Sequence, residues 1–189
     1  MTGQVAFDSD GEEGVALALD LANELAIRQA YGRELPASDP LTLVGRIVQA
    51  DASWPPLRPQ HGPMLVKLAR QLAEVLDFLA HQEVDAAAGL LNALLAAHPA
   101  YPHLASEQGR WRLHHHPVDA DLVPMATAIC AEGLARLVGA GDAQRFGVCR
   151  SDRCDRFFFD ESKNQSRRFC STRCQNRFKA AAFRQRTQT

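Results

Sequence analysis

Cys149-Arg-Ser-Asp-Arg-Cys154 is followed, after fifteen residues, by Cys170-Ser-Thr-Arg-Cys174-Gln175-Asn176-Arg177, and these two segments carry the strongest structural signal in the sequence. They hold four of the five cysteines of the 189-residue chain, in two close pairs within a polar, charged stretch. Cysteines that only pack are usually scattered through apolar runs. Structural zinc is held by four tetrahedral ligands, and two cysteine pairs separated by a short insert supply them. The spacing therefore predicts one structural Zn²⁺ bound by Cys149, Cys154, Cys170 and Cys174, with no open position for catalysis.

The residues around these cysteines predict a treble-clef-like zinc finger. Residues 157–160 form a β-like run, a turn-forming cluster follows, and residues 167–169 lead back to the second cysteine pair, which predicts a β-hairpin. Ser171 is the predicted N-cap of a helix that carries Cys174 in its first turn, where the helix dipole favours a thiolate. Because a unit this small buries little apolar area, zinc is expected to supply folding free energy on the order of 10 kcal/mol.

Charge is divided unevenly along the chain, although the net charge is only −1. Residues 1–144 contain 9 Lys and Arg against 18 Asp and Glu, whereas residues 145–189 contain 12 against 4. An acidic body with a basic tail indicates either a polyanion-binding tail or two halves that attract each other. Arginine can pair with guanine or phosphate, and amides can pair with adenine edges. The predicted nucleic-acid contacts are Lys163, Arg167, Arg168, Arg173, Gln175, Asn176, Arg177, Lys179, Arg184 and Arg186.

The first 140 residues predict a mostly helical domain with a small sheet. Alternation in Gly109-Arg-Trp111-Arg-Leu113-His predicts a strand. Apolar residues recur at helical spacing in five segments, residues 15–27, 41–50, 63–80, 84–98 and 121–138. The predicted fold class is α+β, with one domain at 1–140 and the zinc finger at 145–189, divided near the Gly-Ala-Gly-Asp stretch that begins at Gly139.

Three further groups of residues in the body carry polar or thiol side chains. Asp20 and Asn23 lie three residues apart in an apolar helix, where they either satisfy backbone groups, the commoner role, or bind a ligand. The three histidines at 114–116 are adjacent on the predicted strand and point to alternating faces, so we interpret them as an exposed strand end rather than a metal site. Cys130 lies on an apolar helix face and is predicted to be a packed core residue.

With these motifs the chain resembles a bacterial family of transcription regulators that join an ABATE-type N-terminal domain to a CGNR-type zinc finger. In the finger, Gln175 stands where the family signature has glycine. The resemblance implies a sensor domain and a DNA-binding finger in a stress-responsive regulator. The residues that carry it are Cys149-x4-Cys154, Phe158-Phe-Asp160-x-Ser162-Lys-Asn164-x-Ser166-Arg167-Arg168, Phe169-Cys170-Ser171 with Cys174-Gln175-Asn176-Arg177, Leu19-Asp20-Leu-Ala-Asn23, Leu91-Asn92-x-Leu94-Leu95 and Gly109-x-Trp111.

The function favoured by the sequence is a DNA-binding transcription regulator whose N-terminal domain senses a small-molecule effector or mediates assembly. Because a single small finger binds weakly, we expect a homodimer. The alternatives are a zinc-stabilised protein-interaction module, docked on an acidic partner or on its own N-terminal domain, and an RNA-binding finger. An enzyme is the least favoured class, since the finger lacks histidine and the body lacks a P-loop, a GxGxxG or a Ser-His-Asp spacing.

The expected compartment is the cytoplasm. The N-terminus has no basic region ahead of an apolar run, and no apolar run reaches the roughly 18 residues of a membrane span. In a reducing compartment the cysteine pattern indicates a metal site rather than disulfides.

Overall fold

The structure, a computed structural model, describes residues 9–50, 54–99, 101–107 and 109–187. The described helices are α1 (Ser9–Leu21), which continues into a π-helical turn (Ala22–Ala26), α2 (Pro40–Ala50), α3 (His61–Ala80), α4 (Val84–Ala97), α5 (Leu122–Gly139), a 3₁₀ turn (Ala143–Arg145) and α6 (Thr172–Thr187). The described strands are β1 (Gln29–Ala30), β2 (Arg33–Glu34), β3 (Pro102–Glu107), β4 (Arg110–His115), β5 (Phe146–Val148) and β6 (Phe157–Phe159). They form antiparallel pairs, β1 with β2, β3 with β4 and β5 with β6. The predicted α+β class is confirmed.

Two helices begin where an aspartate side chain accepts hydrogen bonds from the first turn. The Asp39 carboxylate accepts from the backbone N–H of Thr42 at 3.0 Å at the start of α2. The Asp121 carboxylate accepts from Leu122 N–H at 2.8 Å at the start of α5. Such caps satisfy amide groups that have no partner within the helix. The helical segments predicted from apolar spacing are present, and an aspartate cap marks the start of two of them.

Helix α3 lies at the centre of the body, and α1, α4 and α5 pack against it. Its inward stripe is almost fully buried, as its 3–4 spacing predicts. Gly14 brings α1 and α5 close together, because a Cβ at this position would overlap the carbonyl oxygen of Ile129. Cys130 is fully buried in this core, as predicted. The α3 stripe consists of Leu65, Leu68, Leu72, Val75, Leu76 and Leu79.

Helix α5 is the one helix, within the described part of the chain, that is long and apolar enough to cross a membrane. Sixty-one per cent of this segment is buried inside the protein. Length and apolar content alone are shared by membrane spans and by core helices of water-exposed domains. The apolar character of α5 is explained by its packing against α1 and α4.

One hydrophobic cluster runs across the predicted division between residues 1–140 and 145–189. Phe146 of β5 and Phe157 of β6 belong to the same buried cluster as Leu72 and Leu76 of α3. The two predicted domains stay a prediction, but their apolar surfaces form a continuous core. The zinc finger is therefore held against the helical body by packing as well as by the chain.

The prediction of an exposed strand end at residues 114–116 was wrong. All three histidines are at most 9% exposed. Strand β4 pairs along its whole length with β3, which the sequence did not predict, and His114 lies opposite His103. His115 points to α5, where its Nδ1 lies 2.9 Å from a carboxylate oxygen of Glu132. Pairing on one side and helix contact on the other remove these rings from solvent.

Candidate metal centre

The four predicted zinc ligands converge on one point. Their sulfur atoms all lie within 4.8 Å of one another. The Sγ–Sγ distances are 3.9 Å from Cys154 to Cys170, 3.7 Å from Cys170 to Cys174 and 3.7 Å from Cys174 to Cys154. Zn–S bonds of about 2.3 Å place the sulfurs of a regular tetrahedron about 3.8 Å apart. The four cysteines can therefore bind one zinc ion with little rearrangement.

The environment of the sulfurs determines how they ionise. Cys149, Cys154 and Cys174 are at most 6% exposed. Burial raises the pKa of the Cys149 thiol. Burial, together with the neighbouring Cys149 and Cys154, also raises the pKa of Cys170. Four thiolates at this distance repel one another, so a central cation is what allows all four to ionise together, and zinc binding releases protons.

The first cysteine pair lies in the loop of a β-hairpin. Strands β5 and β6 pair antiparallel, and residues 149–156 connect them. Residues 149–154 of this loop are called here the knuckle. The knuckle is closed by a hydrogen bond from Cys149 N–H to Arg156 O at 2.9 Å. The predicted hairpin between residues 157–160 and 167–169 is corrected by this pairing, since residues 167–169 form no strand. Strand β6 pairs instead with the strand that precedes the knuckle.

Asp160 and Arg167 fold the connection between β6 and α6. The Asp160 carboxylate, which is buried, accepts hydrogen bonds from Ser162 N–H at 2.8 Å and Arg167 N–H at 2.7 Å. The Arg167 guanidinium donates to the carbonyl oxygens of Phe159, Phe169 and Cys170. These contacts replace the missing strand pairing and return the chain to the metal ligands.

Helix α6 begins beside the metal ligands, as predicted. The Ser171 hydroxyl accepts a hydrogen bond from Cys174 N–H at 3.3 Å and so caps the helix. Cys170 and Cys174 lie four residues apart, one before the helix and one in its first turn. The positive end of the helix dipole thus lies next to the thiolates.

A segment of the N-terminal body covers the knuckle. We call residues 23–35, which include β1 and β2, the docking segment. Ala30 is fully buried and packs in one apolar cluster with Cys149, Cys154 and Cys174. Backbone hydrogen bonds join Gly32 N–H to Arg153 O at 3.0 Å and Asp155 N–H to Gln29 O at 2.9 Å. The metal ligands are therefore enclosed by residues of the N-terminal body and residues of the C-terminal finger.

Asn23, one of two residues considered for ligand binding, is part of this contact. Its amide nitrogen donates to Phe157 O at 3.0 Å, and its amide oxygen accepts from Phe157 N–H at 2.8 Å. Asn23 is 4% exposed, so it satisfies buried backbone groups of β6. Beside it, the Glu24 carboxylate accepts from Arg156 at 2.7 Å. Asp20, the other residue considered, lies at the surface, and desolvation by the surrounding protein raises the pKa of its carboxyl.

Arg177, a predicted nucleic-acid contact, has internal partners. Its guanidinium donates to the Ser151 hydroxyl and to Asp152 O, both at 3.2 Å. The same group lies against Gly32, because a Cβ there would overlap it. Arg177 thus links α6 to the knuckle and to the docking segment. Sequence reasoning missed this role, since the three partners lie in distant parts of the chain.

The other predicted nucleic-acid contacts lie on the surface. Arg173 is exposed and its guanidinium stacks 5.0 Å from the centre of the Tyr31 ring. Arg167 is exposed, although its guanidinium is used by the three carbonyl oxygens given above. The remaining predicted residues are also exposed, namely Lys163, Arg168, Gln175, Asn176, Lys179, Arg184 and Arg186.

Comparison with known proteins agrees with this geometry. A family model described as the CGNR zinc finger matches residues 145–187. This range contains all four converging cysteines and the helix that follows them. No curated protein matches the chain.

Proposed function

We propose that this protein is a DNA-binding transcription regulator whose zinc finger holds a basic surface against the duplex. One observation carries the proposal. Nine of the ten predicted contact residues are exposed, and they lie on the finger that carries the tetrathiolate site, on an otherwise acidic chain. Four thiolates leave no open coordination position, so the zinc has a structural and not a catalytic role. We propose no enzymatic activity.

The outward face of α6 is the surface of the finger best suited to contact the base edges of a duplex. Helical periodicity places Asn176, Lys179 and Arg186 on the side of α6 away from Cys174, with Gln175 at the edge of that side, and all four are exposed. Amide and cationic side chains on one face of a helix can reach base edges in the major groove. The duplex contact is therefore assigned to this face, and Arg177 is assigned to holding the helix in place.

A groove beside the start of α6 adds phosphate contacts to this proposal. It has a volume of about 550 Å³ and is lined by Arg167, Arg168, Ser171 and Thr172, together with Asp160 and Glu161. The Asp160 carboxylate is already used by backbone N–H groups. Arg168 and the hydroxyl groups beside a helix N-terminus are suited to a phosphate oxygen.

The N-terminal body supplies the regulatory part of the proposal. Following the resemblance described above, it is an ABATE-type domain that senses a small-molecule effector or a stress signal. The finger presents one helix, α6, to the bases, and a single small finger binds DNA weakly. Homodimerisation is therefore proposed as the way in which the protein reaches sufficient affinity for the duplex. Sedimentation that showed only monomer at high micromolar concentration would remove the dimer from the proposal.

The test is a salt titration of binding to a labelled duplex. Neutralised phosphates release counterions, so affinity should fall steeply between about 50 and 200 mM salt. Lys179→Ala and Arg168→Ala should each weaken binding and flatten the salt slope by about one unit. Arg70→Ala removes an exposed cation from α3 and is the matched control, with an unchanged slope expected. Equal slopes in all four proteins would contradict the proposal.

A second candidate is a zinc-stabilised protein-interaction module. The docking segment occupies the knuckle, so this face of the finger already binds protein. Its outward face would then bind an acidic partner protein. Competition assays with duplex DNA, RNA and an acidic protein separate the candidates, because only the regulator should prefer duplex DNA, and an RNA-binding finger should prefer RNA.

A further inference from the structure

Three histidine rings meet on one face of the β3–β4 hairpin. The ring centres lie 5.5 Å apart for His103 and His114, 5.4 Å for His103 and His116, and 5.3 Å for His114 and His116. His114 and His116 are 8% and 9% exposed, and His103 is half-buried. Register explains the meeting, since His103 lies directly opposite His114 and His116 follows two residues later on the same face.

Backbone carbonyl groups fix the tautomer of two of these rings. His103 Nδ1–H donates to Tyr101 O at 3.1 Å, and His116 Nδ1–H donates to Pro117 O at 3.0 Å. A carbonyl oxygen can only accept, so each neutral ring carries its lone pair on Nε2. Metal-binding histidines commonly have this arrangement, with one nitrogen donating to a carbonyl and the other facing the ion.

The spacing of the rings fits a shared ion. With Zn–N bonds of about 2.0 Å, the centres of imidazoles on one tetrahedral ion lie about 5 Å apart. A metal ion could be held by any group of His, Cys, Asp or Glu side chains whose ligand atoms lie close together. Among the described residues, the four cysteines form such a group. The three imidazoles thus have suitable separations, but their nitrogens do not converge in this structure, so metal binding requires a side-chain rearrangement that also shifts the Nδ1–H contacts of His103 and His116.

We propose that His103, His114 and His116 form a second metal site, for a divalent transition-metal ion such as Zn²⁺, Co²⁺ or Ni²⁺. Imidazole nitrogens suit these ions. Three protein ligands leave a fourth position for water or an effector, unlike the closed tetrathiolate site. Because the side chains must rearrange, binding is weaker than at the four cysteines. The site lies in the N-terminal body and not in the matched finger.

The experiment is a Co²⁺ titration of the full chain, prepared without a histidine tag and with zinc in the finger. Cobalt bound by imidazoles absorbs in the visible range without the sulfur-to-cobalt charge-transfer band of a thiolate site, so the two sites are distinguished in one spectrum. The expected result is one additional equivalent per chain with the nitrogen-type spectrum. Isothermal titration with Zn²⁺ should give the same stoichiometry.

Variants assign the additional equivalent to the rings. His116→Ala and His103→Ala should each weaken the second site at least tenfold, with the finger zinc retained. His81→Ala is the matched control, since His81 is an exposed histidine outside the hairpin. Circular dichroism checks that each variant is folded, and the half-buried His103 provides a variant with little effect on packing. A wild-type protein that binds no second equivalent, or a second equivalent that survives both substitutions, would overturn the proposal.

Discussion

Arg177, which the sequence predicts as a nucleic-acid contact, has internal partners that give it a structural role. Its charge and its position beyond the last cysteine favour a nucleic-acid contact, as do the other cations of α6. In the structure its guanidinium bonds to Ser151 and Asp152 and lies over Gly32. A charged group that is held by such contacts organises the finger.

Arg177→Ala should therefore act on stability. Loss of two hydrogen bonds from a charged group should lower the free energy of unfolding by about 1–2 kcal/mol, measured by urea denaturation of the zinc-bound chain. Lys179→Ala, an exposed change on the same helix, should stay within about 0.5 kcal/mol. If the two variants proved equally stable, Arg177 would not have the structural role assigned to it.

Asn23→Ala should destabilise the protein more than the loss of a small side chain would suggest. The change leaves the buried N–H and C=O groups of Phe157 without the Asn23 amide, which should cost about 2–3 kcal/mol in thermal or urea unfolding. Asn92→Ala, which removes an exposed amide from α4, is the matched control and should change stability little. A near-neutral Asn23→Ala would instead favour the ligand-binding role considered from the sequence.

The turn between β1 and β2 is shaped for its contact with the finger. Gly32 has a φ of +84°, a conformation that costs other residues about 1–2 kcal/mol. Gly141 has a nearly identical φ of +82°, but nothing lies within 4 Å of a Cβ placed there. The two glycines thus separate the conformational cost of alanine from the cost of overlap with Arg177.

Gly32→Ala should be clearly more destabilising than Gly141→Ala in urea unfolding. The excess should largely disappear when Gly32→Ala is combined with Arg177→Ala, because the overlapping guanidinium is then absent. Additive effects of Gly32→Ala and Arg177→Ala would show that the two residues do not contact each other. Gly141→Ala combined with Arg177→Ala should be additive and serves as the control cycle.

Local patterns in the chain were enough to predict the helices and the metal ligands. Cys149 and Cys154 are close in sequence, Cys170 and Cys174 lie at helical spacing, and the α3 stripe follows a single period. Each of these features depends on residues within a few positions of one another. The same is true of the Ser171 cap, which is formed within the first turn of α6.

Contacts between distant segments could not be predicted in this way. The pairing of β6 with β5 rather than with residues 167–169 depends on which surface packs on α3. The histidine rings meet because β3 pairs with β4 in one register, and β3 lacks a clear apolar alternation. The Asn23 contact with Phe157 joins positions 134 residues apart, for which a single sequence has no signal.

The zinc site connects the two halves of the chain. Ala30 from the body packs on the cysteines, while Phe146 and Phe157 from the finger pack into the body. Loss of zinc would remove the support of the knuckle and α6, and the docking segment would lose its partner. Zinc is therefore expected to stabilise the helical body as well as the finger.

Removal of zinc by a strong chelator should lower the melting temperature of the full chain by at least about 10 °C, since structural zinc supplies on the order of 10 kcal/mol. Helical circular dichroism should melt in one transition before and after removal, because the hydrophobic cluster is continuous. Cys174→Ser should reproduce the metal-free behaviour, whereas Cys130→Ala, which changes the buried cysteine outside the site, should keep one finger zinc. A body that melted at an unchanged temperature, with a separate transition for the finger, would show that the two halves fold independently.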